Sequence, residues 1–406
     1  MTAWFHRFRS TEELRETLNE IGCDPGALPY IDDRRQLTAL RIANVDTRGA
    51  NVLKQEMLSR GGDATVHRHA IDRGVDRCDC LIFGSRKQLG SLAEKLAVMP
   101  YWGLDDVRED IERSLRRSKK RRHTLHLPRN RQLELGQSTL LMAIVNLTDD
   151  SFFPGSRAAS VQECLDRVQT MVDDGADILD LGAESTRPGS SPATAETECE
   201  RLVPAITAIR ERFPDIPISV DTTKASVAQA CVQAGADIVN DISGLGFDSD
   251  LPRTVADLGI PLILMHIKGV PRTMQTSPHY ACLPGDICRF FEERLDLAVA
   301  AGIPRDQIVL DPGIGFGKTV EHNLILLGHG EFFRTLGLPI LIGHSRKSTF
   351  GTVLDQPTPE ERLEATLATT ALCAWQGIDI VRVHDVKANR RTLDTVSALR
   401  QPNVWR

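Results

Sequence analysis

Asp221, Asn240 and Asp311 each stand near the end of a short apolar run, with side chains that accept, or both accept and donate, hydrogen bonds. Such groups suit the edge of a flat heterocycle bearing amino and carbonyl functions. A second set, Arg187, Arg346, Lys347, Arg382 and His384, brings positive charge and donors to similar positions and suits an anionic group such as phosphate. Asn146 and nearby carboxylates offer hard oxygens, which suit Mg2+ bound partly through a substrate phosphate. The mixture points to a planar polar heterocycle joined to a phosphate-like leaving group. No Ser-His-Asp ordering, H-E-x-x-H or C-x-x-C pair of metal-finger spacing occurs, so acyl transfer and zinc hydrolysis rank low.

The stretch LDPGIGFGKT, residues 310–319, imitates a nucleotide-binding loop. A P-loop needs glycine five residues before the one that precedes its lysine, so that backbone N–H groups cradle phosphates. Here that position is Pro312, and Gly313 comes one residue late. The stretch reads better as a strand end and its loop, with Asp311 facing a ligand and Phe316 forming a wall. Lys318 and Thr319 then carry the least functional weight.

Elements of one kind repeat around these residues. Apolar segments rich in Val, Ile and Leu lie at 140–146, 176–183, 216–222, 236–243, 261–267, 308–314, 339–345 and 378–385. Stretches of helical periodicity separate them. A tag, GADI or GIDI, marks three returns from helix into strand. Eight strand–helix units in about 260 residues predict a (β/α)8 TIM barrel, a fold of about 250 residues. An open doubly wound sheet is the alternative, but the turn after the first strand, NLTDDSF, lacks its glycine signature. In a barrel, functional groups gather at C-terminal strand ends, and every one of the eight runs ends in polar or ionisable residues.

The chain has 406 residues, a net charge of −6 and a 41% hydrophobic share, which fits a globular protein and argues against general nucleic-acid binding. No apolar run approaches the roughly 20 residues that span a bilayer, and the N-terminus shows no secretory h-region. Nine scattered cysteines suit reduced thiols in a cytoplasm. Residues 1–125 read as a small accessory α/β domain, 126–137 as a basic linker and barrel lead-in, and 138–406 as the barrel. The basic run at 113–131 is expected to be a solvated helix end plus linker. His67 and His69, with Cys78 and Cys80, form two period-2 pairs expected on strand faces; their spacing is not that of a metal finger.

The ordered motifs MAIVNLTDDSF, DLGAESTRPGS, SVDTTK, ADIVNDISG, LILMHIKGVPRTMQ, LDPGIGFGKT, IGHSRKS and DIVRVHDV resemble those of the dihydropteroate synthases over roughly residues 138–400. The resemblance implies condensation of 6-hydroxymethyl-7,8-dihydropterin pyrophosphate with 4-aminobenzoate, giving 7,8-dihydropteroate and pyrophosphate. It implies a pterin-binding set of Asp221, Asn240, Met265, Asp311 and Lys347. It makes Asn146 a Mg2+ ligand, and Asn146, Arg382 and His384 the diphosphate site. Asp221, Asp311, Lys347 and Arg382 become the catalytic groups. Phe152, Thr186, Arg187, Pro188, Phe316 and Ser348 become the neighbourhood of aminobenzoate. The implied partners are these small molecules and a second copy of the chain, in a homodimer through the late barrel helices.

The first loop, NLTDDSFFPGS, departs from the family pattern, with Asp149 where proline is usual and Pro154 where a second aspartate is usual. His344 fills a position that is often small. Two rivals remain. Pterin-binding methyltransferase domains that serve corrinoid proteins use a similar heterocycle cradle, but need no diphosphate anchor of the SRKS and RVHD kind. A degenerate binding scaffold would be expected to lack Lys347 or Asp311, and both are present.

Overall fold

A computed structural model describes residues 14–15, 18–19, 21, 23, 37–118, 122–147, 157–184, 193–270, 274–275 and 278–400. The chain separates into two compact units, Met1–Lys119 and Lys120–Arg406.

In the first unit, β1 (Thr38–Asp46), β2 (Asp63–Thr65) and β3 (Arg77–Gly84) make an antiparallel sheet in the order β1-β3-β2. Their alternating burial puts Ile42, Cys78, Cys80 and Ile82 against helices Thr47–Ser59, Arg86–Leu96 and Leu104–Arg117. Ser85 and Gln88 form a capping box that starts the second helix, satisfying donors that a helix start leaves free. The run at 113–131 is helical through Arg117, and there its arginines pair one turn away with acids, as Arg113 does with Asp110 and Arg116 with Glu112. His67 and His69 do not lie on a strand face. They belong to a 3-10 turn, because β2 ends at Thr65. Cys78 and Cys80 do share a buried strand face.

The second unit opens with a correction. Residues 126–137, expected to be linker and lead-in, form most of a hairpin of β4 (His123–Leu127) and β5 (Arg131–Leu135). The reversal uses Arg129 and Asn130, both at positive φ, as a tight hairpin turn requires. Its charge-rich composition hides a period-2 pattern in which Leu125, Leu127, Leu133 and Leu135 share one face. Those leucines pack on Met142, Ile178, Ile238, Ile263, Val309, Leu341 and Ile380, the lowest inward layer of the barrel. Each leucine so buried stabilises by roughly 1.5–3 kcal/mol, so the hairpin closes the barrel floor.

The eight parallel strands are β6 (Leu140–Asn146), β7 (Ile178–Gly182), β8 (Ile218–Asp221), β9 (Ile238–Asp241), β10 (Leu262–Met265), β11 (Ile308–Asp311), β12 (Leu341–Ile342) and β13 (Ile380–Val383). They run in the order β11-β10-β9-β8-β7-β6-β13-β12, and a Leu310–Ile340 bridge closes the ring. The fold is the expected (β/α)8 barrel. Outward residues such as Val145, Leu181, Val220, Leu264 and Leu310 pack beneath the helices, leaving alternate residues for the lumen.

The GADI and GIDI tags have a structural use at the barrel floor. Asp177, Asp237 and Asp379 each accept the backbone N–H that begins a neighbouring strand, from Leu141 (2.7 Å), Ile218 (2.9 Å) and Ile340 (2.9 Å). Each also pairs with an arginine, Arg390, Arg210 and Arg334 respectively. Asp237 takes Arg129 and Arg131 as well, which ties the hairpin to the floor.

Candidate active site at the barrel mouth

Because strand side chains alternate, the residues two steps above the floor layer also face the lumen. They are Ile144 on β6, Asp180 on β7, Asn240 on β9, Met265 on β10, Asp311 on β11 and Arg382 on β13. On β8 the lumen face carries Ser219 and Asp221. Register places Gly182, Asp221 and Asn240 side by side, and Met265 beside Asp311. A Cβ at Gly343 would touch Asp311 Oδ2 and Arg382 Cβ, each at 3.9 Å, so those two groups flank the end of β12.

The polar ring is tied together internally. Arg382 donates from Nε to Asp180 Oδ2 at 2.5 Å and from Nη2 to Asp221 Oδ2 at 2.9 Å. Asn240 Nδ2 donates to both oxygens of Asp180, at 3.3 and 3.2 Å. Gly313 N–H donates to Asp311 Oδ1 at 2.8 Å. Beside the ring, next to Asp311 and Lys347, lies an apolar wall of Ile242, Met265, Ile267, Met274 and Phe316. Lys347 Nζ sits 4.4 Å from the centroid of the Phe316 ring, a cation–π contact joining wall to ring.

Burial sets the electrostatics here. It pushes Asp221 up to about 7; Arg382 opposes the shift, while Asp180, Glu198 and Asp241 add to it. Burial also raises Asp311, against Gly313 N–H, Lys347, Arg382 and Lys318. Lys347 is pushed down to about 8 by burial and Arg382, with Asp311 and Asp221 resisting. Arg382 stays charged: burial works against it, but Asp180 and Asp221 hold it above its ordinary value.

Asp221, Asn240, Met265, Asp311, Lys347, Arg382 and Phe316 thus meet at one mouth. Asn146 ends β6 beside Gly182 and is exposed. Ser348, also exposed, begins the helix Ser348–Leu354 directly after Lys347. His384 is half-buried and held by Ser345, which accepts from His384 N–H at 3.2 Å and lies 3.0 Å from Nδ1. A hydroxyl that accepts one N–H keeps a second lone pair and its own proton, so Ser345 holds the ring in place with either tautomer. Burial, then Arg382 and Arg346, push His384 down to about 4. Arg346 is committed to Asp385 through two bonds of 3.0 and 2.6 Å, so it braces the SRKS turn. His344 is fully buried and reaches Thr370 Oγ1 at 2.8 Å, so the site accommodates its size. Phe152, Thr186, Arg187 and Pro188, with Asp149 and Pro154, lie outside the described residues.

Three features escaped the sequence reading. Asp180 is the hub of the polar ring, and its signal was a carboxylate midway along an otherwise apolar strand, ILDLG. Lys318 is buried, with Nζ 2.8 Å from His266 Nδ1 and 3.0 Å from Phe316 O, so it clamps the loop after β11 to the end of β10. That loop lies so close that a Cβ on Gly313 would stand 2.0 Å from His266 O, and one on Gly317 2.4 Å from Lys268 O. Finally, Lys224 joins Glu184 (2.8 Å) to Glu198, which itself accepts from Thr222 Oγ1 (2.8 Å), beside the end of β8.

Residues 142–384 match the family described as pterin binding enzyme. Over 264 residues the chain is 46% identical to dihydropteroate synthase of Synechocystis sp., covering 65% of this chain and 91% of that protein. The chain belongs to the dihydropteroate synthase family of pterin-binding enzymes. Within the family, the crystal structure of Yersinia pestis dihydropteroate synthase in a sulfonamide drug complex is 40% identical with a TM-score of 0.64, covering 69% of this chain and 100% of that one. The Xanthomonas albilineans enzyme in complex with 7,8-dihydropteroate is 34% identical with a TM-score of 0.61, covering 68% and 98%. A probable bifunctional folylpolyglutamate synthase/dihydropteroate synthase of Haloferax volcanii is 36% identical over 409 residues. That match takes in 97% of this chain and 47% of the relative, so the chain spans about half the length of that protein.

The donor set bears on the implied Mg2+. Among the described residues no group of three or more His, Cys, Asp or Glu side chains is arranged to hold a metal. Asn146 provides one neutral oxygen at an exposed strand end. That fits an ion whose other ligands are water and substrate phosphate, as Mg2+ commonly takes, and does not fit a protein cage. No helix among the described residues is long and apolar enough to cross a membrane.

Proposed function

We propose that the barrel mouth condenses 6-hydroxymethyl-7,8-dihydropterin pyrophosphate with 4-aminobenzoate, releasing pyrophosphate and 7,8-dihydropteroate. The observation that carries this reading is the single ring of Asp221, Asn240, Asp311, Lys347 and Arg382 beside an apolar wall of Met265 and Phe316. The pterin edge would meet Asp221, Asn240, Asp311 and Lys347, with Met265 against its face. Arg382 has N–H groups beyond those bonded to Asp180 and Asp221, and would present them to the diphosphate. His384, neutral, would donate from Nε2 in the tautomer whose Nδ1 accepts from Ser345. Mg2+, held through Asn146 and the substrate's phosphates, would neutralise charge on the departing group.

Loss of diphosphate leaves positive charge at the pterin methylene, which the electron-rich ring delocalises. Asp221 and Asp311 stand where carboxylates would stabilise that cation. The arylamine needs no strong base; it needs positioning and protection from water. Phe316 and Ser348 would contribute to its pocket, and the resemblance adds Phe152, Thr186, Arg187 and Pro188. A pyrophosphate-release assay with and without 4-aminobenzoate tests the reading. A protein that binds pterin but releases no pyrophosphate is a pterin-binding domain of another class.

Two further proposals concern assembly. Exposed Leu324, Ile325, Phe332, Leu372 and Trp375 lie on adjoining late helical segments and support a homodimer there, testable by light scattering. Nine unbridged cysteines support a cytoplasmic setting. The first unit is proposed as an accessory domain. It is matched in a probable bifunctional folylpolyglutamate synthase/dihydropteroate synthase, and its role would lie in assembly, stability or regulation; deleting residues 1–119 and measuring oligomeric state and turnover distinguishes these.

A further inference from the structure

We propose that Asp180 is a positioning residue of the pterin pocket, fixing which end of the Asn240 amide meets the substrate and holding Arg382 in the lumen. The inference rests on the pterin reading above and deepens it.

Asp180 is fully buried on the lumen face of β7. Both of its oxygens lie within 3.3 Å of Asn240 Nδ2. A carboxylate only accepts hydrogen bonds, so the nitrogen end of the amide must face it. Asn240 Oδ1 is then the end left for a ligand, and Asn240 meets the heterocycle as an acceptor. With a neutral group at 180 the amide could turn over and offer a donor instead, which would reverse its match to a ring N–H or amino group.

Arg382 depends on the same carboxylate. A long, flexible side chain reaching into the lumen loses rotamer freedom. Asp180 offsets this by fixing Nε at 2.5 Å, while Asp221 takes Nη2 at 2.9 Å. These bonds set the plane of the guanidinium and leave its Nη1 side for an anion. One buried carboxylate thereby orients an acceptor for the pterin and a donor fork for the leaving group.

The test uses the full chain carrying Asp180→Asn, which keeps shape but can present either amide end to Asn240. Calorimetric titration with 6-hydroxymethyl-7,8-dihydropterin reads the Asn240 arm, and inhibition by inorganic pyrophosphate reads the Arg382 arm. Both affinities should weaken about tenfold, equivalent to about 1.4 kcal/mol each. A folded variant that keeps both constants within about twofold overturns the inference. A purely structural Asp180 would lower the melting temperature and leave both constants unmoved. Should Asp180→Asn fail to fold, the neutral pair Asp180→Asn/Arg382→Gln is compared with Arg382→Gln alone. Equal pterin affinity in those two overturns the Asn240 arm, and an about tenfold loss in the double variant supports it. A wild-type chain that takes no pterin sinks the pterin reading and this inference with it; the variant results sink the inference alone.

Discussion

Moving the protein from about pH 7.5 to about pH 6 should silence the barrel mouth by protonating Asp221. Burial raises Asp221 to about 7, and burial with Arg382 lowers Lys347 to about 8. The proposed chemistry needs Asp221 as a carboxylate beside the developing cation and Lys347 as an ammonium. Since kcat/KM reports the free enzyme, it should climb to a maximum between those two values and fall on either side. Below about 7 the carboxylate fraction drops about tenfold per pH unit, so activity at pH 6 should be near a tenth of its plateau. Pyrophosphate release, followed at constant ionic strength with both substrates limiting, measures the profile. Lys347→Met should lose the alkaline limb and keep the acidic one. A profile flat from about pH 6 to 9, or an alkaline limb that survives Lys347→Met, refutes the assignment.

The same shifts bear on folding. Asp221 is raised in the folded state, so its contribution to stability is complete below 3.8 and is lost as pH rises through about 7. Lys347 is lowered from 10.5, so its contribution is complete above that value and is lost as pH falls through about 8. Both contributions are missing between about 7 and about 8, where the proposed chemistry would run. Ligand-free Lys347→Met should therefore melt higher than wild type in that window and lose the advantage at strongly alkaline pH.

Asp237→Ala should cost about 3–5 kcal/mol of stability, because three arginines and Ile218 N–H lose a buried carboxylate, yet leave KM values unchanged; calorimetry with steady-state kinetics checks it. Gly313→Ala puts a methyl 2.0 Å from His266 O at a φ of +68°, so it should cost about 1–3 kcal/mol and weaken pterin binding by displacing Asp311, read by titration. Because His384 is neutral above about 4, pyrophosphate inhibition should show no titration near pH 6.5 that His384→Gln abolishes, and Ser345→Ala should weaken inhibition a few-fold by releasing the ring from its position.

The barrel was legible because eight apolar runs carry their own punctuation, and each observed strand falls inside its expected run. The lumen layer was legible only at strand ends. Asp221, Asn240 and Asp311 stand out as polar residues after apolar ones, whereas Asp180 lies inside ILDLG and resembles an interruption. Its meaning depends on Arg382, 202 residues away in the chain, and no local pattern links the two. Lys318 was set aside as a relic of a false P-loop, since sequence does not reveal that His266 and the Phe316 carbonyl hold its buried amino group. The hairpin at 123–135 did carry a period-2 signal, but arginines that pair with Asp237 made it read as solvated.

The placement of charge explains how one mouth can favour breaking a carbon–oxygen bond. Asp180, Asp221 and Asp311 face Arg382 and Lys347 across the lumen, three carboxylates against two cations. Deep in the pocket the balance is therefore negative, where the pterin methylene would gain positive charge. Toward the rim the groups change character, to the neutral imidazole of His384 and the exposed oxygen of Asn146. Arg382 lies between the two zones, its Nε and Nη2 turned to the carboxylates and its remaining N–H groups available to a diphosphate. Separation of cation from anion would thus run along a gradient that the hydrogen-bonded ring sets up in advance. A uniformly positive mouth would hold the diphosphate more tightly but would oppose the cation left behind. That is why the buried carboxylates, which would stabilise the cation and fix the guanidinium, belong to the same site as the arginine that would hold the anion.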